Sequence, residues 1–125
     1  SFDYILCFHV IMHLPKEMNE SILKEAHRLL KPGGKLIIDF PSQSRRNLTK
    51  YKAENWHGAT AYKKKEFRDL IQTTWRIEKS KGVLFFPVHR FPKRIRKSIF
   101  GLDQLFSKSF MKHYSSYLIY SIVKK

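Results

Sequence analysis

Apolar residues occur in runs whose spacing predicts a short series of strands and helices. From Tyr4 to Val10 the chain is rich in β-branched and aromatic residues and is apolar at both alternating sets of positions. That pattern predicts a buried strand of a parallel sheet. His13-Leu14-Pro15 interrupts the run. Between Lys16 and Leu30 the apolar positions Met18, Ile22, Ala26, Leu29 and Leu30 recur at helical spacing, with Lys24, Glu25 and Arg28 towards water. Lys31 stands at the helix end, where a cation suits the dipole. Pro32-Gly33-Gly34 then stops the helix, because proline cannot continue it and glycine supplies left-handed backbone angles. Leu36-Ile37-Ile38-Asp39-Phe40 is a second near-continuous apolar strand, which completes a βαβ unit with a right-handed crossover.

The segment from Pro41 to Ala61 has no clean period, and is predicted to be a long loop of the kind that forms lids and binding surfaces. Lys63 to Thr74 is predicted helical, with Phe67, Leu70, Ile71 and Thr74 on one face. Arg76 to Phe86 is expected to hold a strand, a turn at Lys81-Gly82 and a further extended piece. A short helix is expected over Leu102 to Phe106, and a final strand over Tyr114 to Val123. With no repeat and no evident linker, residues 1–125 are expected to form one unit.

Charge changes this picture more than composition does. The 125 residues carry 25 Lys and Arg against 10 Asp and Glu, a formal charge of +15. Arg45-Arg46, Lys50, Lys52, Lys63-Lys64-Lys65 and the cluster from Arg90 to Lys97 hold much of the excess. Two readings compete: a footprint for nucleic acid or an anionic membrane, or a basic surface that is either simply solvated or matched by an acidic complement in a missing half of the protein. The interleaving of Phe91 and Ile95 with cations has the texture of an RNA or membrane surface. The single cysteine, Cys7, excludes an intrachain disulfide and a multi-cysteine zinc site. The longest apolar run, Ile5 to Met12, is far short of the roughly 20 residues that span a bilayer. These features point to a soluble, cytoplasmic chain. Ser1-Phe2-Asp3 leads into the first strand almost at once, so the chain is expected to be cut from a larger protein.

Three segments carry a family resemblance. Phe2-Asp3-Tyr4-Ile5-Leu6-Cys7-Phe8-His9-Val10, then His13-Leu14-Pro15, then Leu29-Leu30-Lys31-Pro32-Gly33-Gly34-Lys35-Leu36 resemble the class I S-adenosylmethionine-dependent methyltransferases, of the type 11-like kind. That family has an "F-D-x-V" strand, "H-x-x-x-H-L", a helix and "R-x-L-K-P-G-G-x-L". The resemblance is close over about the first forty residues, and the later order of elements fits it. It implies an α/β fold: a partial Rossmann-like sheet with parallel strands, a C-terminal antiparallel pair and helices packed on the sheet. It also implies S-adenosylmethionine as cofactor. The family's glycine-rich turn has no counterpart among Gly33, Gly34, Gly58, Gly82 and Gly101. By analogy the chain is the C-terminal part of a methyltransferase domain, from the fourth strand onward, lacking the N-terminal half that begins the cofactor site.

The resemblance further implies that Cys7, Phe8 and His9, closing the first strand, face the cofactor. Packing of Cys7 as a small buried hydrophobe is the alternative. His13, Trp56 and Tyr62 are assigned to a substrate pocket, with structural packing as the competing role. His57 is the candidate catalytic base, since an imidazole titrates near neutrality; a helix-entry turn packed by aromatics is its alternative. No metal is expected, because His9 and His13, though four apart, flank a strand end and a loop. The activity implied is methyl transfer to a small-molecule or lipid-like acceptor. RNA-directed methylation through the basic loops, and a non-catalytic module self-associating through an open sheet edge, are the rivals. The absence of Asn/Asp-Pro-Pro-Tyr/Phe at Cys7 to Val10, and of proline before Cys7, argues against DNA base methylation.

Overall fold

A computed structural model describes residues 1–50, 52, 58–83, 92–108 and 114–125. Strand β1 (Phe2–Cys7) leads through a 3-10 turn at Ile11–His13 into helix α1 (Lys16–Leu29) and strand β2 (Leu30–Pro41). Helices α2 (Gln43–Thr49) and α3 (Lys64–Ile71) follow, then strand β3 (Trp75–Val83), helix α4 (Lys93–Lys108) and strand β4 (Tyr117–Lys124). The four strands form one sheet in the order β1-β2-β4-β3. β1 is parallel to β2, whereas β4 runs antiparallel to both β2 and β3. The architecture is a mixed α/β sheet with helices, in keeping with a partial methyltransferase fold, and the C-terminal antiparallel pair is β3–β4.

The core lies on one face of the sheet. Leu36, Ile38 and Phe40 of β2 alternate inward beside Leu118, Tyr120 and Ile122 of β4, as period-2 side chains must. Leu23 and Ala26 of α1 and Phe67 and Ile71 of α3 join the same cluster. Phe40 is its hub, with ring centroids 4.4 Å from Phe67, 5.4 Å from Tyr120 and 5.5 Å from Tyr62.

Several expectations are corrected. The first strand is not buried: it ends at Cys7 and forms a sheet edge, with Tyr4 62% and Leu6 63% exposed. In α1 the inward stripe is Asn19, Leu23 and Ala26, while Met18 is exposed. The helix is rotated by about one residue from its apolar count, because buried Asn19 takes a place on the core side. The Lys-Pro-Gly-Gly segment does end the helix, but as part of a strand irregularity. Phe2 pairs with Leu30 and Tyr4 with Lys35, so two steps along β1 match five along β2. Gly33 has φ of +75° there.

The predicted loop after Pro41 contains α2, whose first turn is capped by the Ser42 hydroxyl accepting from the Arg45 N–H at 3.3 Å. β3 runs straight through Lys81-Gly82, since Gly82 and Val83 keep pairing with Leu118 and Tyr117 of β4. Phe86 and the extended piece expected there lie outside the described residues, as do Arg90 and Phe91. The short helix expected at Leu102 is the later part of α4, which begins at Lys93.

Candidate functional site: the carboxyl edge of the parallel strands

Ligands of open α/β sheets lie beyond the carboxyl ends of the parallel strands. Here that edge is where β1 ends at Cys7 and β2 ends near Asp39 to Pro41, beside the start of β4 at Tyr117. His9 turns the chain after β1 with φ of +55°, a left-handed conformation uncommon outside glycine but enriched in histidine. Its N–H donates to Oδ1 of Asp39 at 2.7 Å. Its Nδ1 lies 3.7 Å from Oδ2 of the same carboxylate, and its ring meets Tyr117 edge-on at 5.7 Å. Asp39 is buried, so a carboxylate beneath the surface fixes the exit of β1.

Cys7 lies in the core cluster beside this carboxylate. Burial chiefly, and the Asp39 charge after it, push its thiol above the ordinary range. A protonated thiol there is an inert, small apolar group rather than a nucleophile. Phe8, by contrast, is 43% exposed.

Around this point three connecting segments are stitched together. The Thr60 N–H donates to Met12 O at 3.1 Å and its hydroxyl to Leu14 O at 2.6 Å. Gly58 N–H donates to Nδ1 of His13 at 2.9 Å, which commits that nitrogen as an acceptor. On the other side Gln43 N–H donates to Tyr62 O at 3.0 Å, and Tyr62 N–H to Pro41 O at 3.2 Å. The Arg46 guanidinium donates to Gly58 O at 2.6 Å and Ala59 O at 3.2 Å, and Arg45 donates to Tyr114 O at 2.9 Å. Residues 58–62 are therefore tied both to the turn after β1 and to the start of α2. Arg46 of the basic set serves this stitching, and Arg45 ties α2 to the segment before β4.

Tyr62 is buried in the aromatic core. Its hydroxyl accepts from Nδ2 of Asn19 at 3.0 Å, and the same Nδ2 donates to Ile11 O at 3.0 Å. Burial raises the Tyr62 hydroxyl pKa, the Asn19 hydrogen bond opposing this. Lys16 sits over the ring at 5.0 Å and is ion-paired with Glu66. Asn19 is a structural residue that the apolar count of α1 passed over. The signal for it was a polar residue placed four before Leu23 and seven before Ala26, on the side that packs.

Of the expected site residues, the structure brings Cys7, Phe8 and His9 to the carboxyl edge, and His13 and Tyr62 to the stitched segments beside it. Trp56 and His57 lie outside the described residues. A groove of about 230 Å³ between α1, α3 and the start of β3, lined by Leu23, Lys24, His27, Leu70 and Trp75, is at the other end of the sheet. Trp75 pairs there with Lys124, beside the first residues of β2. Position relative to the strand ends, rather than groove depth, decides which region is the candidate. Among the described residues no group of three or more His, Cys, Asp and Glu is placed to hold a metal.

Phe8 offers an exposed ring and Cys7 an inert neighbour beside it. Asp39 does not suit the ribose of an adenosyl cofactor, because it is buried and already accepts the His9 amide.

Residues 1–38 of the 125 match the family model described as a methyltransferase domain. The match covers β1, α1 and β2 as far as Ile38, the elements that build the carboxyl edge. No curated protein matches the chain.

Proposed function

We propose that this chain, whose first 38 residues match a methyltransferase domain, supplies one wall of an S-adenosylmethionine site and acts in methyl transfer to a small-molecule or lipid-like acceptor. The observation that carries the reading is the pairing of that match with the parallel β1–α1–β2 unit, whose strand ends meet at Asp39. The glycine-rich half of the site is supplied by polypeptide outside residues 1–125, which packs along β1. Support comes from the exposed Tyr4 and Leu6 of that edge strand and from the lack of any Gly-x-Gly turn in the chain. The reaction is assigned to the cytoplasm.

Bound there, the cofactor supplies an electrophilic sulfonium methyl group. The chain's own contribution is placement, for which a fixed near-attack geometry is the main source of rate. Phe8 would pack against the cofactor, Cys7 beside it would not compete as a nucleophile, and the Asp39 carboxylate holds the His9 turn at this edge. His13 and Trp56 belong to the acceptor side, while Tyr62 supports it from within the aromatic core. On the acceptor side, the hydrogen bond from Gly58 to His13 keeps the segment before α3 against the turn after β1. His57 takes the proton from an acceptor hydroxyl or amine as the methyl group arrives.

Titration calorimetry with S-adenosylmethionine tests this reading. The complete protein that carries the chain is expected to bind it, and residues 1–125 alone to bind at least a hundredfold more weakly, about 2.7 kcal/mol at room temperature. Equal affinity of the two, or none in the complete protein, overturns the division of the site.

A further inference from the structure

Helix α4 is a 16-residue element that packs against β3. Its one carboxylate, Asp103, is buried, and Ile99, one turn earlier, is half-buried, which fixes the inward side. The outward side is unlike an ordinary solvated helix face. Ile95, Leu102 and Leu105, spaced by seven and three, share one flank, and Phe100 stands on the other. They are 44%, 50%, 65% and 55% exposed respectively. Lys93, Arg94 and Lys97 are exposed between these flanks. Four large apolar side chains on two flanks of α4 and three cations between those flanks, with no carboxylate among them, are exposed together.

From this arrangement we propose that α4 is an interfacial helix that lays its outward side on an anionic lipid membrane. Apolar side chains of such a helix enter the boundary between headgroups and acyl chains, while Lys and Arg reach lipid phosphates from the same surface. The aliphatic residues separate this occupant from RNA. Cations alone meet phosphates, and bases stack on aromatic rings, so Ile95, Leu102 and Leu105 have no work on a nucleic acid. A second copy of the chain is disfavoured, because matching faces would set Lys93, Arg94 and Lys97 against their equivalents. The contact is peripheral: no helix among the described residues is long and apolar enough to cross a membrane. It is independent of methyl transfer, since vesicle binding needs no methyl donor.

Flotation of the 125-residue chain with phosphatidylcholine vesicles, and with vesicles about one-third phosphatidylserine, tests the proposal directly. The expected result is binding to the mixed vesicles at least about tenfold tighter than to the neutral ones. The double variant Leu102→Ser with Leu105→Ser is expected to lose about tenfold or more at unchanged far-ultraviolet circular dichroism. The triple variant Lys93→Glu, Arg94→Glu, Lys97→Glu is expected to lose binding altogether. A Leu105→Trp chain should show a larger blue shift of emission on the mixed vesicles than the parent, which already carries Trp56 and Trp75, and this keeps the test open should a multiple variant unfold. Equal binding to both vesicles, a Leu105→Trp emission shift no larger than the parent's, or a leucine variant that binds like the parent overturns the proposal. So does single-stranded RNA that displaces the chain from vesicles and is released by the charge variant but not by the leucine variant.

Discussion

Cys7 shows how a residue's neighbours select one chemical role from several. It ends β1 at the edge where a cofactor would lie, yet it is buried and next to the Asp39 carboxylate. Both influences disfavour the thiolate, burial more than charge. Alkylation by iodoacetamide near pH 8 should therefore be at least about tenfold slower in the native chain than after denaturation. Asp39→Asn should recover only the smaller part of that protection. Native labelling as fast as that of the denatured chain would show the thiol to be open and ionised. The linkage has a definite sign. The folded thiol is raised above its unfolded value of about 8.5, so its share of stability is complete below that pH and declines as pH rises through it.

Among elements, the junction between α1 and β2 is the most demanding. A side-chain carbon on Gly34 would stand 2.9 Å from Lys31 O and 3.0 Å from the Leu30 side chain, so backbone would have to move. At Gly33 nothing lies within 4 Å, but φ is +75°. Gly33→Ala is expected to cost about 1 kcal/mol through conformation alone. Gly34→Ala is expected to cost more, about 2–3 kcal/mol, because overpacking against backbone cannot relax locally. Denaturant midpoints of the two variants check the order, and a Gly34→Ala chain as stable as the parent contradicts it.

How far the sequence reveals these elements depends on what each one rests on. β1, α1 and β2 are legible because apolar spacing and the Pro-Gly-Gly stop are local signals, and they agree with the family resemblance. The facing of α1 is not legible, since the inward place of Asn19 depends on Tyr62 and Ile11, which are distant in sequence. α2 escapes notice for a related reason: its residues Gln43–Thr49 include no buried one, so no apolar stripe announces it. Gly82 reads as a turn from its neighbours alone, but the ladder to β4 holds it extended. The carboxyl edge was legible only as strand ends. The His9–Asp39 contact and the ties of residues 58–62 join positions up to 48 apart, which no local pattern encodes.

At the scale of the molecule, the two ends of the sheet are unlike. The carboxyl edge gathers Cys7, Phe8, His9 and Asp39 with the stitched segments, whereas the groove beside Trp75 lies at the opposite end. The sheet also has unlike faces, one packed by α1 and α3 and the other leaving Tyr4 and Leu6 of β1 exposed. Whole-molecule charge follows neither division. Part of it is consumed internally, as when Arg46 holds Gly58 and Ala59, and part stands outward on α4.

The proposed function requires that a sulfonium cofactor meet this chain at the carboxyl edge. Amide nuclear magnetic resonance of the complete protein, titrated with S-adenosylhomocysteine, tests it most directly. The signals of Cys7, Phe8 and His9 are expected to move with saturation while those of Trp75 and Lys125 stay fixed. Movement confined to the Leu23–Leu70–Trp75 groove, with the first strand's end unchanged, would contradict it.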